Sequence, residues 1–132
     1  ADPALIEVLE GQARKLLNSL EAPQGQELAN IVRQRLVSQL RQGPPSAERI
    51  ADTLHVSVRH LHRKLAAEGC NFRQLLQQTR RQLAEDYLAD PRLQLGEVAA
   101  LLGFSEQSAF SRAFKNWTQL TPAQYRHQQL GR

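Results

Sequence analysis

The sequence predicts an all-α protein in which a pair of short helices occurs twice, joined by a long connecting helix and preceded by an extra N-terminal helix. Three observations predict it. Apolar residues recur at spacings near 3.6 along the chain, and no stretch of strand length alternates polar with apolar residues. Proline, glycine and capping residues cut that pattern into segments of helix length. The third observation is an internal repeat: Arg49-Ile50-Ala51-Asp52-Thr53-Leu54-His55-Val56-Ser57 aligns with Glu97-Val98-Ala99-Ala100-Leu101-Leu102-Gly103-Phe104-Ser105.

Taken in order, the first helix is expected over about residues 3–20, with Pro3 at its start and Leu5, Leu9, Ala13, Leu16, Leu17 and Leu20 on one face. Ala22-Pro23-Gln24-Gly25 breaks the pattern. A second helix follows near residues 26–41, with Leu28, Ile31, Val32, Leu36 and Leu40 as its stripe, and Gly43-Pro44-Pro45 ends it because proline cannot continue a helix. Ser46 suits the N-cap of a short helix to Leu54, and Ser57 the cap of another to about Glu68, stopped by Gly69. The long amphipathic connecting helix covers about residues 72–89 and ends at Asp90-Pro91. Leu95 to Leu102 forms the next short helix, Gly103-Phe104 turns the chain, and Ser105 is the expected cap of a helix to about Trp117. Thr121 followed by Pro122 opens a last helix to about Gln129. The resulting division is a linker helix at 1–25, a first unit at 26–70, the connecting helix at 71–91 and a second unit at 92–132.

Within the repeat the offset is 48 up to the serine and 49 beyond it, where Leu61 pairs with Phe110, Arg63 with Arg112 and Leu65 with Phe114. Each unit is a short helix, a tight turn and a capped second helix, the helix-turn-helix arrangement that enters the DNA major groove. On the second helix of the first unit, Val58, Leu61 and Leu65 share a core face, while Arg59, His62, Arg63 and Ala66 gather opposite. In the second unit Phe110, Ala113, Phe114 and Trp117 form the core face, and Ser108, Ser111, Arg112 and Lys115 the other. Arginine bonds guanine O6 and N7 as a bidentate pair and histidine exchanges hydrogen bonds with base edges, so these residue types suit direct readout. A solvated charged face is the ordinary explanation of such a stripe on a single helix. Its occurrence in two matching places favours readout.

Composition narrows the function classes. The 132 residues fit one domain or two very small ones and leave no room for a separate catalytic domain. Seventeen Lys+Arg stand against 13 Asp+Glu. Residues 1–45 are balanced, so the whole net charge of +4 falls in residues 46–132, which is where an anionic partner is expected. One cysteine excludes an internal disulfide and implies a reducing compartment. No apolar run approaches the roughly 20 residues of a membrane span, and a cytoplasmic protein with no membrane partner is expected. The absence of methionine and the start at Ala1-Asp2-Pro3 imply a piece of a longer protein, and the excess of arginine over lysine suggests a GC-rich bacterial genome.

The other reactive residues have plainer explanations. His60, His62, His55 and Cys70 are zinc-ligand types, but residues two apart on a helix point about 160° apart, so no metal is expected. Cys70 suits a small filler beside a helix end, since no base is placed to activate it. With no phosphate-binding glycine loop and no paired catalytic carboxylates, an enzyme remains only a formal alternative, and no cofactor is expected. The N-terminal helix keeps two readings: the end of a linker from a missing sensing or dimerisation domain, or a segment packing on the rest. A third possibility makes the whole chain a protein-interaction module using Leu5, Leu9, Leu16 and Leu20 as a groove-binding stripe.

From Gly103 the text GFSEQSAFSRAFKNWTQLTPAQYR resembles the C-terminal signature of the AraC/XylS family of bacterial transcription regulators. The resemblance runs upstream through Arg80, Ala84, Tyr87 and Leu88 and through Ser57, Leu61, Arg63 and Leu65, so it covers about residues 26–129. It implies sequence-specific binding of double-stranded DNA, with recognition helices at about 57–68 and 105–117 in successive major grooves. Base contacts are implied for Arg59, His62 and Arg63, and for Gln107, Ser108, Ser111 and Arg112. Phosphate contacts are expected from Ser46, Lys64 and Lys115 and from the helix start near Leu95. RNA polymerase is the implied second partner, and activation the expected direction of regulation, with repression left open. Two departures stand out: the family usually has glycine where Gln119 and His55 stand. Non-glycine residues take left-handed backbone at modest cost, so distorted turns are expected rather than a different fold. A connecting helix of 18 residues spans roughly 27 Å against the roughly 34 Å between successive grooves on one face of DNA. Bending of the DNA or incomplete seating of one helix is expected to meet the difference.

Overall fold

A computed structural model describes residues 4–11 and 25–131; among these, the regular structure is helical throughout. Residues 4–11 form α1. It is followed by α2 (Glu27–Leu40), α3 (Ala47–Thr53), α4 (Val58–Ala67), α5 (Phe72–Leu88), α6 (Leu95–Leu101), α7 (Gln107–Thr118) and α8 (Pro122–Leu130).

The caps explain most of these boundaries. Ser46 Oγ accepts from the Arg49 N–H at 3.1 Å and Ser57 Oγ from the His60 N–H at 3.0 Å, which start α3 and α4 as the sequence implies. Thr121 and Gln124 form a reciprocal capping box that brackets Pro122 at the first helical position. Asn71 and Gln74 form another at the start of α5, a pair that the apolar pattern does not reveal. Ser105 is not the cap of α7. The N-cap is Glu106, because the residue that raises the repeat offset to 49 lies here and makes Glu106, not Ser105, the counterpart of Ser57.

Two buried clusters hold the helices together. One is formed by Ala29, Val32 and Leu36 of α2, Ile50 and Ala51 of α3, Leu61 and Leu65 of α4 and Leu75 of α5. The other gathers Val37 and Leu40 of α2, Leu83, Ala84, Tyr87 and Leu88 of α5, Leu93, the buried side of α6 and Phe110 and Phe114 of α7. Two helices therefore run through both clusters. The connecting helix is not a lone rod: α2 packs along it, Leu76 touches both clusters, and Arg33 Nη2 donates to Gln78 Oε1 across the pair at 3.3 Å. Val8, absent from the expected N-terminal stripe, is buried in the second cluster with Leu5 and Leu9 packed beside it. Ala13, Leu16, Leu17 and Leu20 lie outside the described residues. Ile31, placed on the α2 stripe, is exposed, and Val37 is buried instead.

Long-range polar contacts finish the helix ends. The Glu68 carboxylate, at the C-cap of α4, accepts from the N–H groups of Leu28 (3.0 Å) and Ala29 (2.9 Å), satisfying two orphan donors of α2. Buried Gln39 accepts from the Ser46 N–H at 2.8 Å and fixes the entry to α3. Arg126 of α8 donates to the carbonyls of Leu88 (3.0 Å) and Asp90 (3.2 Å) at the end of α5. The Asp90 carboxyl lies below its ordinary range because Arg92 hydrogen-bonds to it.

Candidate nucleic-acid interface

The turns that present the two second helices are built alike. In the first, the N–H groups of His55 and Val56 donate to the carbonyls of Asp52 and Ala51; in the second, those of Gly103 and Phe104 donate to Ala100 and Ala99. Both are Schellman motifs with a left-handed residue at the turn: His55 at φ 58° and Gly103 at φ 80°. The distortion expected of the first turn is therefore absent, since His55 takes the glycine conformation outright and points into solvent. Gln119 does the same at φ 68°, its N–H donating to the Lys115 carbonyl at 2.8 Å.

Gly103 has no such freedom. A methyl group there would stand 2.8 Å from the Gly43 carbonyl oxygen and 3.0 Å from Leu40 Cδ2, so the second turn sits directly on the end of α2. Arg80 of α5 locks the same place. Its Nε donates to the Leu102 carbonyl at 2.8 Å, and its guanidinium carbon lies 4.0 Å from the centre of the Phe104 ring. Burial draws its pKa below the ordinary arginine value. One α5 residue thus anchors the turn that aims α7.

On α4, Leu61 and Leu65 are fully buried while Arg59, His62, Arg63 and Lys64 are exposed. On α7, Phe110 and Phe114 are buried, and Gln107, Ser108, Arg112 and Lys115 are exposed. Ser111 is half-buried, at the edge of the face. Trp117, expected on the core face, is also half-buried and packs on Phe104 and Phe114. Gln107 sits on the open side of the helix start, where its Oε1 would lie 3.4 Å from a methyl group at Gly96. The Ser46 hydroxyl oxygen is already occupied by the α3 cap, which leaves its O–H free to donate outward.

Not every cation is available to an anion. Arg80 and Arg126 bind carbonyls as described, Arg81 donates to the Trp117 carbonyl at 3.0 Å while pairing with Glu85 at 3.2 Å, and Arg92 pairs with Asp90 at 2.9 Å. These positions add to the net charge without adding to either exposed face. Local sequence carries little sign of this, since the partners lie 22 to 38 residues away for Arg80, Arg81 and Arg126. The available signal is that Arg80 and Arg126 are among the residues that carry the family resemblance. Cys70 ends the α4 turn, with its thiol donating to the Leu65 carbonyl at 3.6 Å, and burial raises its pKa. No helix among the described residues is long and apolar enough to cross a membrane.

Comparison with known proteins gives a consistent result. A family model described as a helix-turn-helix domain matches residues 50–128. The ornithine utilization regulator of Pseudomonas aeruginosa is 40% identical over 127 residues, covering 96% of this chain and 36% of the relative. The HTH-type transcriptional regulator VirS of Mycobacterium tuberculosis is 44% identical over 114 residues, covering 86% and 34%. The chain thus spans about a third of the length of these curated relatives. The C-terminal domain of AraT, a response regulator from Geobacillus stearothermophilus, matches with a TM-score of 0.71 at 30% identity, over 80% of this chain and 88% of that one.

Proposed function

The chain belongs to the AraC/XylS family of helix-turn-helix transcription regulators, and from that premise we propose that it reads duplex DNA by setting α4 and α7 into successive major grooves. The observation that carries this reading is the doubled geometry: one turn design, used twice, leads into two helices that expose Arg63 and Arg112 at matching positions of the repeat. Arg59, His62 and Arg63 of α4 and Gln107, Ser108, Ser111 and Arg112 of α7 contact base edges, where arginine and amide side chains discriminate bases by paired hydrogen bonds. Lys64, Lys115 and the Ser46 hydroxyl contact phosphates and set the register. α2 and α5 together hold the two faces in fixed relation. The 17 residues of α5 span roughly 26 Å, and bending of the DNA closes the gap to the groove repeat.

In the longer regulator a sensing or dimerisation domain precedes this one, RNA polymerase is the second partner, and the site of action is the cytoplasm. The chain acts by binding, without a catalytic step. The packing of Val8, Leu5 and Leu9 on the second cluster supports α1 as a segment that seats the preceding chain on the DNA-binding unit. It weakens the interaction-module reading, because two of the four leucines of that stripe are already engaged.

The test is a titration of duplex DNA across salt concentrations. Neutralising roughly 5 to 8 phosphates gives a log–log slope of about −5 to −7. A flat slope contradicts the proposal.

A further inference from the structure

One polar contact on the exposed face of α4 distinguishes it from α7. Arg63 Nη2 lies 3.1 Å from His60 Nδ1. Arginine has only donors, so His60 Nδ1 accepts in this contact. The His60 backbone is fixed, since its N–H is the one that caps onto Ser57, and its half-buried side chain lines a groove together with Leu28, Ile31, Leu54 and Val56. In the repeat, the residue that corresponds to His60 is Ala109. Arg112 therefore lacks a ring acceptor at that position of its own helix.

We propose that His60 is a positioning residue for Arg63, orienting its guanidinium for a guanine edge in the groove that α4 occupies. The inference rests on Arg63 being a base reader. A long flexible side chain loses rotamer freedom when it binds, and a side chain already restrained loses less. The contact uses one of five N–H donors and leaves the pair needed for guanine O6 and N7. His60 touches no base in this arrangement. Its influence falls on one base-pair position of the half of the site read by α4, while the preference read by Arg112 is set without such help.

The experiment measures base preference, position by position, for the parent chain and for His60→Asn, His60→Leu, His60→Ala and Arg63→Ala. Asparagine carries Oδ1 where histidine carries Nδ1, leucine keeps apolar volume without an acceptor, and alanine copies the second unit. A net hydrogen bond corresponds to a change of about two- to tenfold. The expected result is that His60→Leu and His60→Ala relax preference by that factor at the position Arg63→Ala also relaxes. His60→Asn should hold close to the parent, with salt slopes unchanged throughout. If the three His60 variants keep the parental preference while Arg63→Ala loses it, the positioning role is overturned and the DNA reading stands. A uniform loss across all sequences in His60→Leu and His60→Ala also overturns it, by making His60 a general support. If Arg63→Ala itself keeps the parental preference, the base-reading role of Arg63 fails first and takes the inference with it.

Discussion

Replacing Gly103 by alanine tests why one turn demands glycine while its twin accepts histidine. At φ 80° an L-residue pays about 1–2 kcal/mol for left-handed backbone. The added methyl group would lie 2.8 Å from the backbone oxygen of Gly43 and 3.0 Å from buried Leu40, neither of which can swing aside like the end of a flexible side chain. Relieving that overlap costs about 1–3 kcal/mol more. The gain from a stiffer unfolded chain, about 0.4–1 kcal/mol, offsets part of it. The net expectation is a loss centred on about 3 kcal/mol, or roughly 12 °C in thermal midpoint for a chain of this size. His55→Gly is the matched control: relief of left-handed strain and added unfolded-state freedom nearly cancel, leaving it within about 0.5 kcal/mol of the parent. Thermal unfolding followed by circular dichroism reads both. A Gly103→Ala variant within about 1 kcal/mol of the parent would refute the claim that this turn is seated on α2.

Phe114→Ala should cost about 3–5 kcal/mol because the ring is fully buried, whereas Trp117→Ala, half-buried, should cost clearly less; equal losses in chemical denaturation would show that the face assignment is wrong. Glu68→Ala should lower stability by about 1–3 kcal/mol through loss of the cap on α2, and amide exchange at Leu28 and Ala29 should accelerate in step; unchanged exchange would count against the cap. Tyr87, whose pKa burial pushes up to about 12, stays protonated in the folded chain where the unfolded chain ionises. Stability associated with it is therefore full below pH 10 and falls by about 2–3 kcal/mol as pH rises from 10 to 12. Phenolate absorbance in a Tyr125→Phe background should place the Tyr87 midpoint near the upper value, and Tyr87→Phe should flatten the loss; an ordinary midpoint would sink this account.

Local signals made most of the helices legible. Ser46, Ser57 and Thr121 cap where their chemistry says they should, because an N-cap bond reaches only three residues along the chain. The repeat located the two matching faces, and the one-residue change in its offset already contained the answer that Ser105 missed. Contacts between distant segments were not legible. Nothing in a local pattern pairs Glu68 with the start of α2 or Arg80 with the end of α6, and the passage of α2 through both clusters depends on how Val37 and Leu40 meet α5. Residue counting likewise overstated the charge available to an anion, since Arg80, Arg81 and Arg126 close helix ends.

If α4 and α7 read DNA from equivalent positions, Arg63→Ala and Arg112→Ala should behave alike on oligonucleotides selected by the parent chain. Each variant should lose about 1–3 kcal/mol on the selected site and relax preference at one base pair, the two positions lying about one helical turn apart. If both variants bind the selected site and random DNA as the parent does, the recognition faces assigned to α4 and α7 are wrong.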